Sequence, residues 1–235
     1  MMLTETQTNS LVDKYLPNAS NVVKQNLYKY YALIEEENQK YNLTGFYNEK
    51  LFCEGIIESI LVFKEIETKI CILSSKNILD IGSGVGFPSI PYFIYSNFNF
   101  NLFIHEPLGK RCNFLQLVKE KLNIKNLVIE NIRTESSNEK EKFDFITARA
   151  VSELKNLIEI SHHIGSLNSV FCFIKSNNYL NEINNASWII KELDIKLETL
   201  KLEPFFTISN NLIYYHKTSP TPKNFPRDWA KIIKS

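Results

Sequence analysis

The spacing of apolar positions along the chain changes near residue 77. Before it, apolar residues recur at helical intervals. In residues 20–40, SNVVKQNLYKYYALIEEENQK, Val23, Leu27, Tyr30, Tyr31 and Ile34 fall on one face, which predicts an amphipathic helix capped near Ser20 or Asn21. The segment EKLFCEGIIESILVFKEI, residues 49–66, predicts one or two further helices, so residues 1–70 read as an N-terminal helical layer. From Asn77 onward the short runs NILDI, NLFIHE, NLVIEN, FDFITA and SVFCFIK have the unbroken hydrophobicity of strands buried on both faces. Helix-patterned stretches, GKRCNFLQLVKEKLN and SELKNLIEISHHI among them, stand between these runs. The alternation predicts an α/β fold over residues 71–217, a mostly parallel, Rossmann-like sheet of about seven strands with helices on both faces. KLETLKLEPFFTI and NNLIYYHKT predict a closing antiparallel pair, and residues 218–235 form a basic C-terminal tail.

Composition narrows the function. The 235 residues are 44% hydrophobic and 12% aromatic, enough for a packed core in one domain of ordinary size. Twenty-seven basic side chains against 26 acidic ones exclude a general polyanion-coating role and leave room only for a local basic patch. Cys53, Cys71, Cys112 and Cys172 are scattered, with no C-x-x-C pair, so they read as reduced buried thiols and no metal site is expected. No run of about 18 apolar residues suggests a membrane span. A cytoplasmic protein is the expectation, with ESSNEKEK as a charged surface loop.

Candidate chemistry concentrates in NILDIGSGVGFPSIP, residues 77–91, where Gly82, Gly84 and Gly86 account for three of the chain's seven glycines. They form the turn between the first strand and its helix. Glycine reaches positive φ and lacks Cβ, so a ligand can lie directly against backbone N–H groups there. The spacing is G-x-G-x-G, not the dinucleotide G-x-G-x-x-G, and Asp80 precedes it. An acid before the turn suits a cationic ligand end better than a diphosphate. Glu106, twenty residues after Gly86 at the end of the second strand, suits the two ribose hydroxyls of a nucleoside. Together these favour S-adenosylmethionine, a cationic sulfonium nucleoside without phosphates, over a structural turn or a variant dinucleotide site.

Several segments resemble the RsmG (GidB) family of bacterial 16S ribosomal RNA methyltransferases. NLTG at 42–45 resembles that family's NLTA, ILDIGSGVGFPSIP its DVGTGAGFPGIP, and LGKRCNFL at 108–115 its LGKRVRFL. NIRTE at 131–135 is similar to SRVEE, ARAVSEL at 148–154 to SRAVASL, and TPKNFPR in the tail to TPKKYPR. The resemblance implies a class I S-adenosylmethionine-dependent methyltransferase acting on guanine N7 in small-subunit rRNA. It places the methionine end and sulfonium against the backbone around Gly82 and the side chain of Phe87. Thr134 and Glu135 would border the adenine, and Arg149 would be the catalytic residue beside the cofactor. The chain departs from the pattern where RHxxDS is usual: here EGIIES puts Glu54 and Gly55 in place of Arg and His, and Glu58 in place of Asp. Ser89 replaces a fourth glycine, and Lys175–Ser176 stands for a usual Lys-Gly.

Guanine N7 carries an in-plane lone pair, so methyl transfer to it needs no general base, and none stands out. His162 and His163 read as a packed or surface pair and His105 as buried. Arg149 has two readings, a bond to guanine O6 or a phosphate, or a surface ion pair with Glu153. Lys110 and Arg111 open a helix whose dipole opposes cations, which points to phosphate contact or to solvated charge. Lys175, Lys223 and Arg227 are the remaining RNA candidates. In the tail, Lys217, Lys223, Arg227, Lys231 and Lys234 interleave with Phe225 and Trp229, suiting either RNA or a strap packing its aromatics on the sheet. The expected partner is 16S rRNA or the small subunit, met by a monomer. The competing readings are a small-molecule or protein methyltransferase, a non-catalytic nucleoside-binding protein, and a nicotinamide oxidoreductase.

Overall fold

The computed structural model describes residues 1–234. Helix α1 (Glu5–Tyr15) opens on a capping box between Thr4 and Gln7. The sequence reading did not single this helix out, although T-x-x-Q was its available signal. Helix α2 (Asn21–Tyr41) starts at Ser20, whose Oγ accepts from Val23 N at 3.3 Å, and buries Val23, Leu27, Tyr30, Tyr31 and Ile34 as its periodicity requires. Helix α3 (Asn48–Lys50) runs through a π-helical stretch, Leu51–Ile57, into α4 (Glu58–Lys69). That wide turn contains Gly55, where a Cβ would stand 2.8 Å from Phe87 Cζ, so the helix approaches the glycine-rich turn as only glycine allows.

The remaining elements are β1 (Asn77–Ile81), α5 (Ser89–Tyr95), β2 (Asn101–His105), α6 (Gly109–Lys121), β3 (Leu127–Glu130), β4 (Phe143–Arg149), α7 (Leu154–Ser161), β5 (Gly165–Lys175), α8 (Tyr179–Asn185), α9 (Ser187–Glu192), β6 (Glu198–Lys201) and β7 (Asn211–His216). They build one seven-stranded sheet in the order β3-β2-β1-β4-β5-β7-β6, with β7 antiparallel to both neighbours and the other described pairs parallel. The strand read from KLETLKLEPFFTI is shorter than its pattern. Pro204 has no N–H to give a ladder, and beyond it Phe205 and Ile208 close a tight turn by exchanging bonds of 3.1 and 3.0 Å. The last turn of SELKNLIEISHHI is a 3-10 helix, His162–Ile164.

Successive residues of β1 point to opposite faces. Ile78 joins a core shared with Leu27, Tyr31, Phe52, Phe63 and Phe93, so the N-terminal helices cover one side of the sheet. Leu79 joins the other core, built with Phe143, Leu157, Phe171 and Tyr215, and the tail contributes Phe225 and Ile232 to it. A last short helix, α10 (Trp229–Ile232), follows in the tail. The strand order reverses between β1 and β4, where Ile81 pairs with Ala148, and the crevice beyond the carboxyl ends of such strands is where α/β sheets bind ligands. Among the described residues, no helix is long and apolar enough to cross a membrane, and all four cysteines are free.

Candidate active site

Gly82, Gly84 and Gly86 follow β1 with φ of 66°, 63° and 107°, the left-handed region glycine enters without strain. Their N–H groups are not offered to a ligand, which corrects the sequence reading. Gly82 N donates to His105 O at 2.7 Å, and Gly86 N to Ser83 O at 2.9 Å. Gly84 N donates to Glu106 Oε2 at 3.0 Å. What the glycines provide is missing bulk. A Cβ on Gly82 would lie 2.8 Å from Val151 Cγ2, and one on Gly86 would lie 2.9 Å from Tyr30 Oη. Tyr30 donates its hydroxyl to Val85 O at 2.6 Å, tying α2 to the turn, a role its helical periodicity could not reveal.

Beside this turn lies a cleft of ≈ 270 Å³, walled by Gly82, Glu106, Arg111, Thr134, Glu135 and Val151 together with Ile132, Ile160 and Trp229. The Glu106 carboxylate accepts from Gly84 N and from Leu108 N at 2.9 Å, and Arg111 Nη1 stands 3.9 Å away. A carboxylate has about four lone-pair sites, so these two bonds shape the turn and leave capacity for a ribose hydroxyl. Arg111 Nε and Glu135 Oε1 are buried without partners, a donor and an acceptor in one wall. Thr134 is buried, its Oγ1 3.2 Å from His105 Nδ1. A lining of Ile132, Ile160, Val151 and Trp229 beside the polar side chains of Glu106, Arg111, Thr134 and Glu135 fits a nucleoside, which presents flat faces and a polar rim. Glu106, Thr134, Glu135 and Arg111 would hold that nucleoside, with Gly82 leaving room for it.

Asp80 and Phe87 line neither this cleft nor the next, contrary to the expectation that they meet the cofactor. Phe87 is packed edge-on against Tyr30, with ring centroids 6.2 Å apart. Asp80 lies behind the turn, 0% exposed, with one oxygen 3.4 Å from Ser89 N and the other unpartnered. Burial raises its pKa from 3.8 to about 7, against the pull of Ser89 and Arg149. The native state therefore holds this proton more tightly than the unfolded chain does. The group's contribution to stability is complete below pH 3.8 and is lost as pH rises towards 7. Asp80→Asn should gain stability relative to the parent between pH 4 and 8, by at most about 4 kcal/mol. Denaturant titrations of both proteins across that range check this, and parallel pH profiles would refute it. The comparison cancels His105, His162 and His163, whose pKa values burial lowers to about 4, 3 and 4, an effect of opposite sign.

A second cleft, ≈ 620 Å³, adjoins the first and shares Ala150, Val151 and Ser152 with it. Arg149 lines it and pairs not with Glu153 but with Glu58: Nη1 donates to Glu58 Oε2 at 2.5 Å. Glu58 is fully buried, and its other oxygen accepts from Asn210 Nδ2 at 2.5 Å. The guanidinium also lies 5.7 Å from the Phe87 ring centroid, with 16% of its side chain exposed. Glu153 contacts Lys155 instead, at 3.8 Å. Glu58 was legible as a substitution for the usual Asp, and as the one charge inside the apolar run GIIESILVF; its partner was not. The NLTG stretch serves this cleft indirectly. The Asn38 side chain binds Leu43 N at 2.6 Å and Thr44 N at 2.8 Å, fixing the loop before Phe46, which lines the wall.

A family model described as GidB, rRNA small subunit methyltransferase G, matches residues 23–203. The chain belongs to that family. It is 42% identical over 212 residues to the ribosomal RNA small subunit methyltransferase G of Mycoplasmopsis pulmonis, covering 88% of this chain and 90% of the relative. The protein of the same description from Malacoplasma penetrans is 36% identical over 226 residues, covering 92% and 91%. Among solved structures, an S-adenosylmethionine-dependent O-methyltransferase from Thermotoga maritima superposes with a TM-score of 0.55 at 14% identity, over 81% of this chain and 73% of that one. The fold is thus that of the Rossmann-like S-adenosylmethionine-dependent methyltransferases.

In this family member the RNA-side candidates separate. Lys175 Nζ donates to Ser152 O at 2.5 Å and pairs with Glu182 at 2.7 Å, 6% exposed, so it braces the wall of the second cleft. Arg227 makes a two-pronged pair with buried Glu159, at 2.6 and 2.7 Å, which corrects its assignment to RNA. Lys217, counted among the basic tail residues, is buried and donates to His162 O and Gly165 O at 3.0 and 2.8 Å. Arg111 belongs to the first cleft. Lys110 and Lys223 are exposed, with Lys110 reaching Tyr41 O at 3.1 Å. His162 and His163 are packed, His162 Nδ1 lying 2.7 Å from Thr221 Oγ1.

Proposed function

We propose that this protein transfers the methyl group of S-adenosylmethionine, held in the first cleft, to N7 of a guanine in small-subunit ribosomal RNA that enters the second. The observation carrying this reading is the shared boundary: Ala150, Val151 and Ser152 wall both clefts, so a reacting pair can meet there without crossing protein. S-adenosylmethionine supplies a methyl group activated by its sulfonium. Glu106, Thr134 and Glu135 fix the nucleoside end. Gly82, without a Cβ, leaves space at the boundary beside Val151. The N7 lone pair attacks directly, so the chain's task is to hold nitrogen and methyl in line and keep water out. Arg149, clamped by Glu58, stands on the acceptor side, where a rigid guanidinium can bond guanine O6 next to N7. The base must leave its stack to arrive there, and the larger second cleft accepts an extruded nucleotide. Exposed Lys110 and Lys223 remain available to phosphates. The action is placed in the cytoplasm, by a monomer, on the 16S RNA of the small subunit. The test is transfer from methyl-labelled S-adenosylmethionine to small subunits lacking the modification. N7-methylguanosine in the RNA digest is the expected product; label confined to protein or metabolites refutes the assignment.

A further inference from the structure

The family match ends at residue 203, yet the tail beyond it reaches the donor cleft. After β7 the chain crosses α7 as a clamped strap. His162 Nδ1 and Thr221 Oγ1 meet at 2.7 Å, Phe225 is buried, and Arg227 grips Glu159 of α7 with both prongs while its guanidinium lies 4.7 Å from the Trp188 ring centroid. Three residues beyond Trp229, Ile232 is fully buried. Trp229 is therefore held from both sides in sequence. Its indole packs partly on the second core and partly lines the donor cleft, near Ile132, Ile160 and Thr134. Arg133, in the same wall, lies 5.4 Å from the indole centroid. The indole keeps part of its surface on a cleft that fits a nucleoside.

We propose that Trp229 is a donor-binding residue: the strap fixed by Arg227 and Glu159 carries its indole over α7 to form the adenine-stacking wall of the first cleft. The inference rests on the reading that this cleft holds the adenosyl group. Indole offers the largest π-face of any side chain, and a purine stacks on it as Arg133 does, through the ring electrons. Adenine would take a place between the indole and the wall built by Ile132 and Thr134. With adenine there, the methionine end would point to Ala150–Ser152, away from the strap, so donor, demethylated product and free adenosine should depend on Trp229 equally.

Calorimetric titration with S-adenosylhomocysteine tests this on the parent, Trp229→Ala and Trp229→Phe. The alanine variant should bind about tenfold more weakly, the scale of losing one base–aromatic stack, while phenylalanine should stay within about threefold, because a π-face remains. The chain has two tryptophans, so in Trp188→Phe the emission comes from Trp229 alone and should change on saturation with the nucleoside. That readout needs no alanine variant and survives if Trp229→Ala fails to fold. Parent-like affinity in Trp229→Ala, or emission from Trp188→Phe that ignores saturating nucleoside, overturns the inference while leaving the donor cleft standing. A parent that binds no nucleoside overturns both.

Discussion

Arg149→Ala should lower the unfolding free energy by about 3–5 kcal/mol, the range seen when one partner of a buried ion pair is removed. Glu58 is fully buried and has Arg149 and Asn210 as its partners at 2.5 Å each. Without the guanidinium, a carboxylate charge stays in the core with one amide to satisfy it, and Glu58 joins α4 to β4 across 91 positions of sequence. Glu58→Ala should do comparable harm by stranding the arginine. The double variant Glu58→Met, Arg149→Met should recover most of the loss, because apolar groups of similar volume replace buried pairs with little penalty. It should nonetheless fail to methylate RNA. Urea denaturation of Glu58→Met, Arg149→Met and their double variant against the parent measures the cycle; additive losses would mean that the two side chains do not depend on each other.

Gly82→Val should weaken S-adenosylhomocysteine binding at least about 100-fold. Two effects combine. A side chain at φ 66° is strained, by about 1–2 kcal/mol or more for a β-branched residue. Its Cβ would also stand 2.8 Å from Val151 Cγ2, forcing Val151 towards the boundary between the clefts. Gly84→Ala is the control. Its Cβ would meet only Arg111, 3.8 Å away, so it carries the strain of φ 63° without the collision. Affinity in Gly84→Ala should fall about tenfold or less. Equal losses in the two variants would show that the clash at Gly82 contributes nothing.

These expectations separate what a linear sequence carries from what it does not. The unbroken apolar runs from NILDI to SVFCFIK predict a parallel sheet because strands buried on both faces cannot alternate, and β1 through β5 occupy those runs. Three glycines between a strand and a helix mark the turn because positive φ is a local requirement. Where the N–H groups of Gly82 and Gly84 go is not local: the carbonyl of His105 ends β2 and Glu106 follows it. Charges were legible as residues and misread as partners for the same reason. Lys175 and Arg227 read as RNA contacts in the sequence and Arg149 as a contact or a partner of Glu153, yet the fold gives them Glu182, Glu159 and Glu58. Burying a charge without a partner is costly, so a basic residue at a sheet edge finds its acid on whichever element packs over it. The π-helical stretch around Gly55 escaped because helical periodicity extends through a widened turn with its apolar face still inward. The tail's alternation suited RNA or a packed strap equally, because spacing alone does not reveal that Phe225 and Ile232 are anchors.

A crystal structure of the protein with S-adenosylhomocysteine tests the central claim most directly. The account predicts density for the adenosyl group in the first cleft, its ribose at Glu106, its purine between Thr134 and Trp229, and its sulfur directed to Ala150–Ser152. Density lodged elsewhere, or a first cleft holding only solvent at saturating nucleoside, would contradict it.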